Sequence, residues 1–227
     1  ASMGLSNTLF QNSTGLPDGN HFSSAKDLAI MTSLLINNFP ETYSLYKEKY
    51  FTFNNIRQPN RNRLLWKDNS SDGVKTGHTE SAGYCLISSA KRNDMRLIAV
   101  VAGAKSDKER FNDTQRLLEY GFRFYSTQEV IKKDNALKDV DIWGGKENQV
   151  SLGVENNIKL TLPRTTFRNI TISYDFQNNL RAPIKEGQTL GTLVIKEGEK
   201  TLHTENLVAL SEVEAKGFFG RLWASFV

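Results

Sequence analysis

The chain has 227 residues, 38% of them hydrophobic and 24% charged, which fits a folded globular protein of one or two domains and excludes a disordered one. Its formal charge of +4 is spread among interleaved acidic and basic residues, which argues against nucleic acid as a partner, and no run approaches the ~20 apolar residues a transmembrane helix needs. Cys85 is the sole cysteine, and His21, His78 and His203 stand far apart without the spacing of a ligand set, so no disulfide, metal or other cofactor is expected. In its strand context Cys85 reads as a small, buried apolar residue.

In chain order, residues 1–23 read as a helix end followed by a loop dense in turn formers, Gly15-Leu16-Pro17-Asp18-Gly19-Asn20. Ser24, with Asp27 three residues on and Leu28, Ala29, Ile30, Leu34 and Leu35 following, is a capping signature for a helix over 24–38. Pro40 opens a second short helix toward Tyr50. A meander of three strands is expected over 73–79, 84–90 and 96–103, the last two joined by the turn pair Asn93-Asp94. Over 107–125, Phe111, Leu117, Leu118 and Phe122 mark the apolar face of a helix that covers the sheet. After Thr127 the texture changes to short alternating segments at 157–162, 170–174, 189–196 and 201–210, an all-β second domain with no catalytic constellation of its own.

The chemistry concentrates in Asp72-Gly73-Val74-Lys75-Thr76-Gly77-His78-Thr79. Lys-Thr-Gly is one of three elements that occur together in penicillin-binding proteins and class A β-lactamases, beside Ser-x-x-Lys and Ser-x-Asn. Laid along a nucleophile, such a strand offers an ammonium to the proton relay and a hydroxyl to a substrate carboxylate. Its glycine lets a substrate backbone approach as an added strand would. Three letters alone fit a surface hairpin as readily, so the surrounding sequence must decide.

That sequence includes Asn60-Arg61-Asn62-Arg63-Leu64-Leu65-Trp66, Ser81-Ala82-Gly83-Tyr84, Gly121-Phe122-Arg123-Phe124, Asn12-Ser13-Thr14-Gly15-Leu16-Pro17 and Phe22-Ser23-Ser24-Ala25-Lys26-Asp27. Together, from the first residue to Phe219, these resemble the low-molecular-mass D-alanyl-D-alanine carboxypeptidases of Gram-negative bacteria, the penicillin-binding protein 5 group. The resemblance implies a periplasmic serine peptidase, attached peripherally to the inner membrane. It trims the terminal D-alanine from peptidoglycan stem peptides through an acyl-enzyme and is acylated by β-lactam antibiotics. It also implies roles: Lys75 in the proton relay, Thr76 and Gly77 along the substrate, the His78 N–H as an oxyanion donor, and Arg61 at the terminal carboxylate.

The same resemblance places the nucleophilic Ser, its Lys and the Ser-x-Asn before residue 1, so the chain reads as the C-terminal part of such an enzyme. No Ser-x-Asn occurs in it, and the Ser-x-x-Lys matches at Ser23, Ser44 and Ser88 lack the right context. Without its N-terminal region the strand at 96–103 is expected to have an open edge over six apolar residues, an aggregation-prone pattern.

The expected fold is therefore α+β. Residues 1–126 form the C-terminal part of a transpeptidase-like domain, 127–216 a β-rich domain, and 217–227 the start of an amphipathic membrane anchor. In that last stretch Phe218, Phe219, Leu222, Trp223, Phe226 and Val227 share one helical face. The pattern alone fits either a helix packed on protein or one lying in the outer leaflet of the cytoplasmic membrane, and the resemblance favours the membrane. The alternatives are a non-catalytic peptidoglycan- or partner-binding protein and a β-lactamase, the latter disfavoured by the β-rich second domain.

Overall fold

The computed structural model describes residues 3–176 and 179–217, and its chain divides into two compact units, Ala1–Tyr125 and Ser126–Val227. The first is a mixed helix and sheet unit. Helix α1 (Ala25–Asn38) starts where the capping signature puts it, with Ser24 Oγ accepting from Asp27 N at 3.1 Å. Asp27 in turn accepts from Asn7 N at 2.7 Å and Thr8 Oγ1 at 2.8 Å, tying the N-terminal loop to the helix. No helix occurs among the described residues before α1. A single bridge between Leu9 and Phe22 closes that loop instead of the expected helix end.

Pro40 opens α2 (Pro40–Ser44), which tightens into a 3₁₀ turn at Leu45–Lys47 rather than running to Tyr50. Next comes a hairpin that hydrophobic alternation did not reveal, β1 (Tyr50–Phe53) and β2 (Ile56–Pro59). Both its faces are exposed, so neither carries a buried stripe. Asn54 and Asn55 make the turn at φ +47° and +59°, the left-handed conformation asparagine tolerates best after glycine. Arg57 lies 3.7 Å over the Tyr50 ring, and Tyr50 meets Trp66 edge-on at 6.0 Å, which fixes the hairpin against the one-turn helix α3 (Leu64–Lys67).

Three antiparallel strands follow as a meander, β3 (Ser71–Thr79), β4 (Gly83–Arg92) and β5 (Met95–Ala104), in the order β3-β4-β5. Among the described residues β5 pairs with β4 alone. Helix α4 (Asp107–Phe124) covers the sheet, with Leu64, Leu86, Ala90, Met95, Ala99, Phe111, Leu118 and Phe122 forming the core. Leu117, expected on that apolar face, is 49% exposed. Thr114 and Arg110 take the buried positions one and two turns ahead of Leu118.

The second unit is β-rich. Strand β6 (Tyr125–Ile131) pairs with β9 (Ile158–Pro163). A six-stranded sheet joins β7 (Lys138–Trp143), β8 (Gln149–Gly153), β10 (Ile170–Phe176), β11 (Leu180–Arg181), β12 (Thr189–Glu197) and β13 (Lys200–Ala209) in the order β10-β12-β13-β8-β7-β11. Leu152, Val154, Leu193, Ile195 and Leu207 are fully buried at its centre. The segment expected to anchor in a membrane lies, from Phe218 onward, outside the described residues. No helix among those described is long and apolar enough to cross a membrane.

Candidate active site

Strand β3 exposes Lys75, Gly77 and His78 while burying Val74 and Thr76. Lys75 Nζ donates to the Thr76 carbonyl at 2.9 Å and has no carboxylate partner among the described residues, so its charge is not neutralised locally. The His78 ring packs on Tyr84 of the neighbouring strand, with centroids 4.0 Å apart. A Cβ at Gly77 would meet only the Cys85 Cβ at 3.8 Å, an ordinary contact. The packing of this unit does not itself require glycine there. Cys85 is half-buried rather than buried, its Sγ donating to the Ala82 carbonyl at 3.4 Å, and it sits where the pairing of β4 with β5 slips between Tyr84 and Leu86.

Arg61 reaches the same place from another element. The flanking asparagines act as staples: Asn60 Nδ2 donates to the carbonyls of Tyr46 at 3.3 Å and Glu48 at 3.0 Å, and Asn60 Oδ1 accepts from Asn62 N at 2.9 Å. Asn62, 1% exposed, donates from Nδ2 to the Gly73 carbonyl at 2.8 Å and accepts from Leu64 N at 3.2 Å. With both neighbours bound inward, Arg61 is left exposed. Arg61, Lys75 and Thr76 line one groove of about 540 Å³, whose other wall is Leu45, Tyr46, Tyr50 and Phe51. Gly77 and His78 continue the strand beyond that lining.

Two further residues carry the site without having been singled out from the sequence. Arg110, 6% exposed, projects from α4 and donates from Nη1 to the Gly77 carbonyl at 2.9 Å and the Cys85 carbonyl at 3.4 Å, with Asp107 as its ion-pair partner. Its signal was spacing, since Arg110, Thr114 and Leu118 recur every four residues on the buried face. Tyr43 of α2 donates to Asp72 Oδ1 at 2.7 Å, and burial first, then the Asp72 carboxylate, push its phenol far above the ordinary value.

In none of the three Ser-x-x-Lys pairs is the serine hydrogen-bonded to its lysine. Ser23 precedes the α1 cap, and Ser44 Oγ is spent on the Glu41 carbonyl at 2.6 Å. Ser88 is fully buried and donates to the Gly73 carbonyl at 3.0 Å, while Lys91 is exposed.

Known proteins resemble the chain along nearly all of its length. Residues 1–106 match the family described as D-alanyl-D-alanine carboxypeptidase, and 125–215 match the penicillin-binding protein 5 C-terminal domain. The chain is 46% identical over 223 residues to D-alanyl-D-alanine carboxypeptidase DacC of Escherichia coli K12, covering 97% of this chain and 56% of the relative. The chain thus spans a little over half the length of the curated relatives it matches. Among solved structures it resembles penicillin-binding protein 5 of Haemophilus influenzae, with TM-score 0.79 and 38% identity over 94% of this chain and 63% of that one. Penicillin-binding protein D2 of Listeria monocytogenes in its ampicillin-bound form gives TM-score 0.51 and 35% identity over 53% of this chain and 51% of that one.

Proposed function

This chain belongs to the D-alanyl-D-alanine carboxypeptidase family, and we propose that the protein is a serine-type D-Ala-D-Ala carboxypeptidase for which the chain supplies the Lys-Thr-Gly wall and not the nucleophile. One observation carries the reading: Arg61, Lys75 and Thr76, distant in sequence, line a single groove. A peptide ending in D-Ala-D-Ala presents a carboxylate, a scissile amide and an extended backbone. The Thr76 hydroxyl and the Arg61 guanidinium bind the carboxylate through charge-assisted hydrogen bonds. The unneutralised Lys75 ammonium favours proton transfer away from the serine supplied by the rest of the protein, and later toward the leaving D-alanine. Gly77 lets the substrate lie along the open edge of β3, and the His78 N–H donates to the carbonyl oxygen as it gains charge.

A β-lactam carries the same carboxylate beside a strained amide, so the same wall serves acylation by penicillins; the ampicillin complex of a structural relative supports this. The proposed substrate is the peptidoglycan stem peptide, and the proposed location is the periplasm. There the segment from residue 217 onward would rest on the outer leaflet of the inner membrane, a role supported by its amphipathic sequence. Release of free D-alanine from an acyl-D-Ala-D-Ala peptide by the full-length protein tests the reading. Arg61→Ala should raise KM ~10-fold with a smaller effect on kcat. An unchanged KM would remove Arg61 from the carboxylate site.

A further inference from the structure

Gly73 stands two residues before Lys75, carries no side chain, and is gripped from three other elements. Its carbonyl accepts from Asn62 Nδ2 at 2.8 Å and from Ser88 Oγ at 3.0 Å. The position a Cβ would occupy is filled by Tyr43, whose Oη would lie 2.7 Å away and whose ring carbons Cε2 and Cζ would lie 3.2 Å away. Between Ser71 and Gly73 the register of β3 on β4 slips, leaving Asp72 as the extra residue of a bulge. Bulges re-aim side chains and are common beside active sites. Here the Asp72 carboxylate turns to accept from Tyr43 Oη at 2.7 Å and from Arg96 Nη1 at 2.8 and 2.7 Å. Tyr43 and Asn62 are both buried, so losing one partner leaves the other's polar group without water to replace it.

The geometry points to Asn62 and Tyr43 as positioning residues that clamp the Asp72-Gly73 backbone and thereby set the Lys75-Thr76 wall against Arg61. The inference rests on the roles proposed above for those three residues. Asn62 directly follows Arg61, so the side chain that holds the Gly73 carbonyl also fixes the loop presenting Arg61. Tyr43 comes from α2, immediately before Leu45 and Tyr46 of the opposite groove wall. Both walls of the groove are therefore referenced to the two residues Asp72 and Gly73, and a shift there is inherited two residues later by Lys75. Misplacement of a catalytic group by ~1 Å can cost ~10²-fold in rate.

The test is acylation of the full-length protein by a fluorescent penicillin. Rate constant and final stoichiometry are recorded for Asn62→Asp, Tyr43→Phe, Gly73→Ala, the Gly73→Ala/Tyr43→Phe double variant and Lys75→Ala. Asn62→Asp keeps the shape and the acceptor but removes the donor to Gly73. Tyr43→Phe removes the Oη that an alanine at 73 would strike, leaving the ring carbons at 3.2 Å. The clamp requires that the molecules still able to label do so ~10-fold more slowly in Asn62→Asp and Gly73→Ala, and that the double variant recover several-fold over Gly73→Ala. A purely structural role would lower only the stoichiometry, leaving the rate constant of the labelled fraction at the wild-type value, and that result overturns the proposal. Lys75→Ala separates the two claims. If it is slow while the clamp variants are not, the clamp is wrong; if it acylates like wild type, the site reading beneath it is wrong.

Discussion

In the first unit the buried positions include Asp27, Asn62, Ser88, Ser89, Arg110 and Thr114, whereas in the second Thr166 is the one buried polar residue among those described, beside a core of Val, Leu and Ile. The two units solve different problems. Hydrocarbon packing is non-directional and suffices where only a shape must be kept. A strand proposed to offer one edge to a substrate must be held from its other sides, and hydrogen bonds of fixed direction can do that. Three of those buried side chains, Asn62, Ser88 and Arg110, are bonded to carbonyls of β3.

The contrast is sharpest under truncation. In the second unit Leu193→Ala removes a fully buried side chain and should cost about 2–5 kcal/mol, lowering that unit's unfolding midpoint while penicillin acylation of the full-length protein stays at the wild-type rate. In the first unit Asn62→Ala deletes far less hydrocarbon yet leaves the Gly73 carbonyl with Ser88 alone and strands the Leu64 N–H. It should cost ~1–3 kcal/mol by denaturant unfolding and slow acylation as well. If Leu193→Ala slowed acylation of folded protein as much as Asn62→Ala does, the division of labour would not hold.

Acid should separate the units next. The Thr8 hydroxyl chiefly, with the Asn7 N–H and Ser24, holds Asp27 below the ordinary carboxylate value against burial. Burial opposes ionisation of Asp68, but its Ser70 hydrogen bonds and Arg92 outweigh it. Both folded values lie below the unfolded ones. Their stabilisation is therefore complete above the unfolded value near ~4 and is lost as pH falls through the folded value. Hydrogen exchange between pH 6 and 3 should show protection falling earlier in β3–β5 and α1 than in β12 and β13, and Asp27→Asn should flatten that dependence. The smallest effect on stability is expected from Gly77→Ala. Its Cβ meets only Cys85 at ordinary distance, so the unfolding free energy should move by less than ~0.5 kcal/mol, while acylation slows because the substrate loses its approach. A large loss of stability would mean that Gly77 serves packing instead.

How much of this could be seen in the sequence varies with what each residue faces. The meander, α1 and α4 were legible because their alternation, capping and periodicity are local, whereas Lys75, Thr76, Gly77, His78 and Arg61 were put forward from the motif and the family resemblance of its neighbours. The hairpin Tyr50–Phe53 and Ile56–Pro59 was not, since a strand exposed on both faces writes no hydrophobic pattern. Lys138–Trp143 and Gln149–Gly153 were passed over because each buries only two or three residues within a short run. Arg110 and Asn62 were hidden for another reason: charged and amide side chains read as surface until a buried carbonyl is found to receive them.

Lys75 is proposed to supply the charge for proton transfer at a penicillin-reactive serine. That role is tested most directly by the second-order rate of acylation of the full-length protein by a fluorescent penicillin, wild type against Lys75→Ala. With no carboxylate partner to disturb among the described residues, the substitution should leave the fold intact and reduce the rate by ~10²–10⁴-fold. A folded Lys75→Ala protein acylated within a few-fold of wild type would contradict the account.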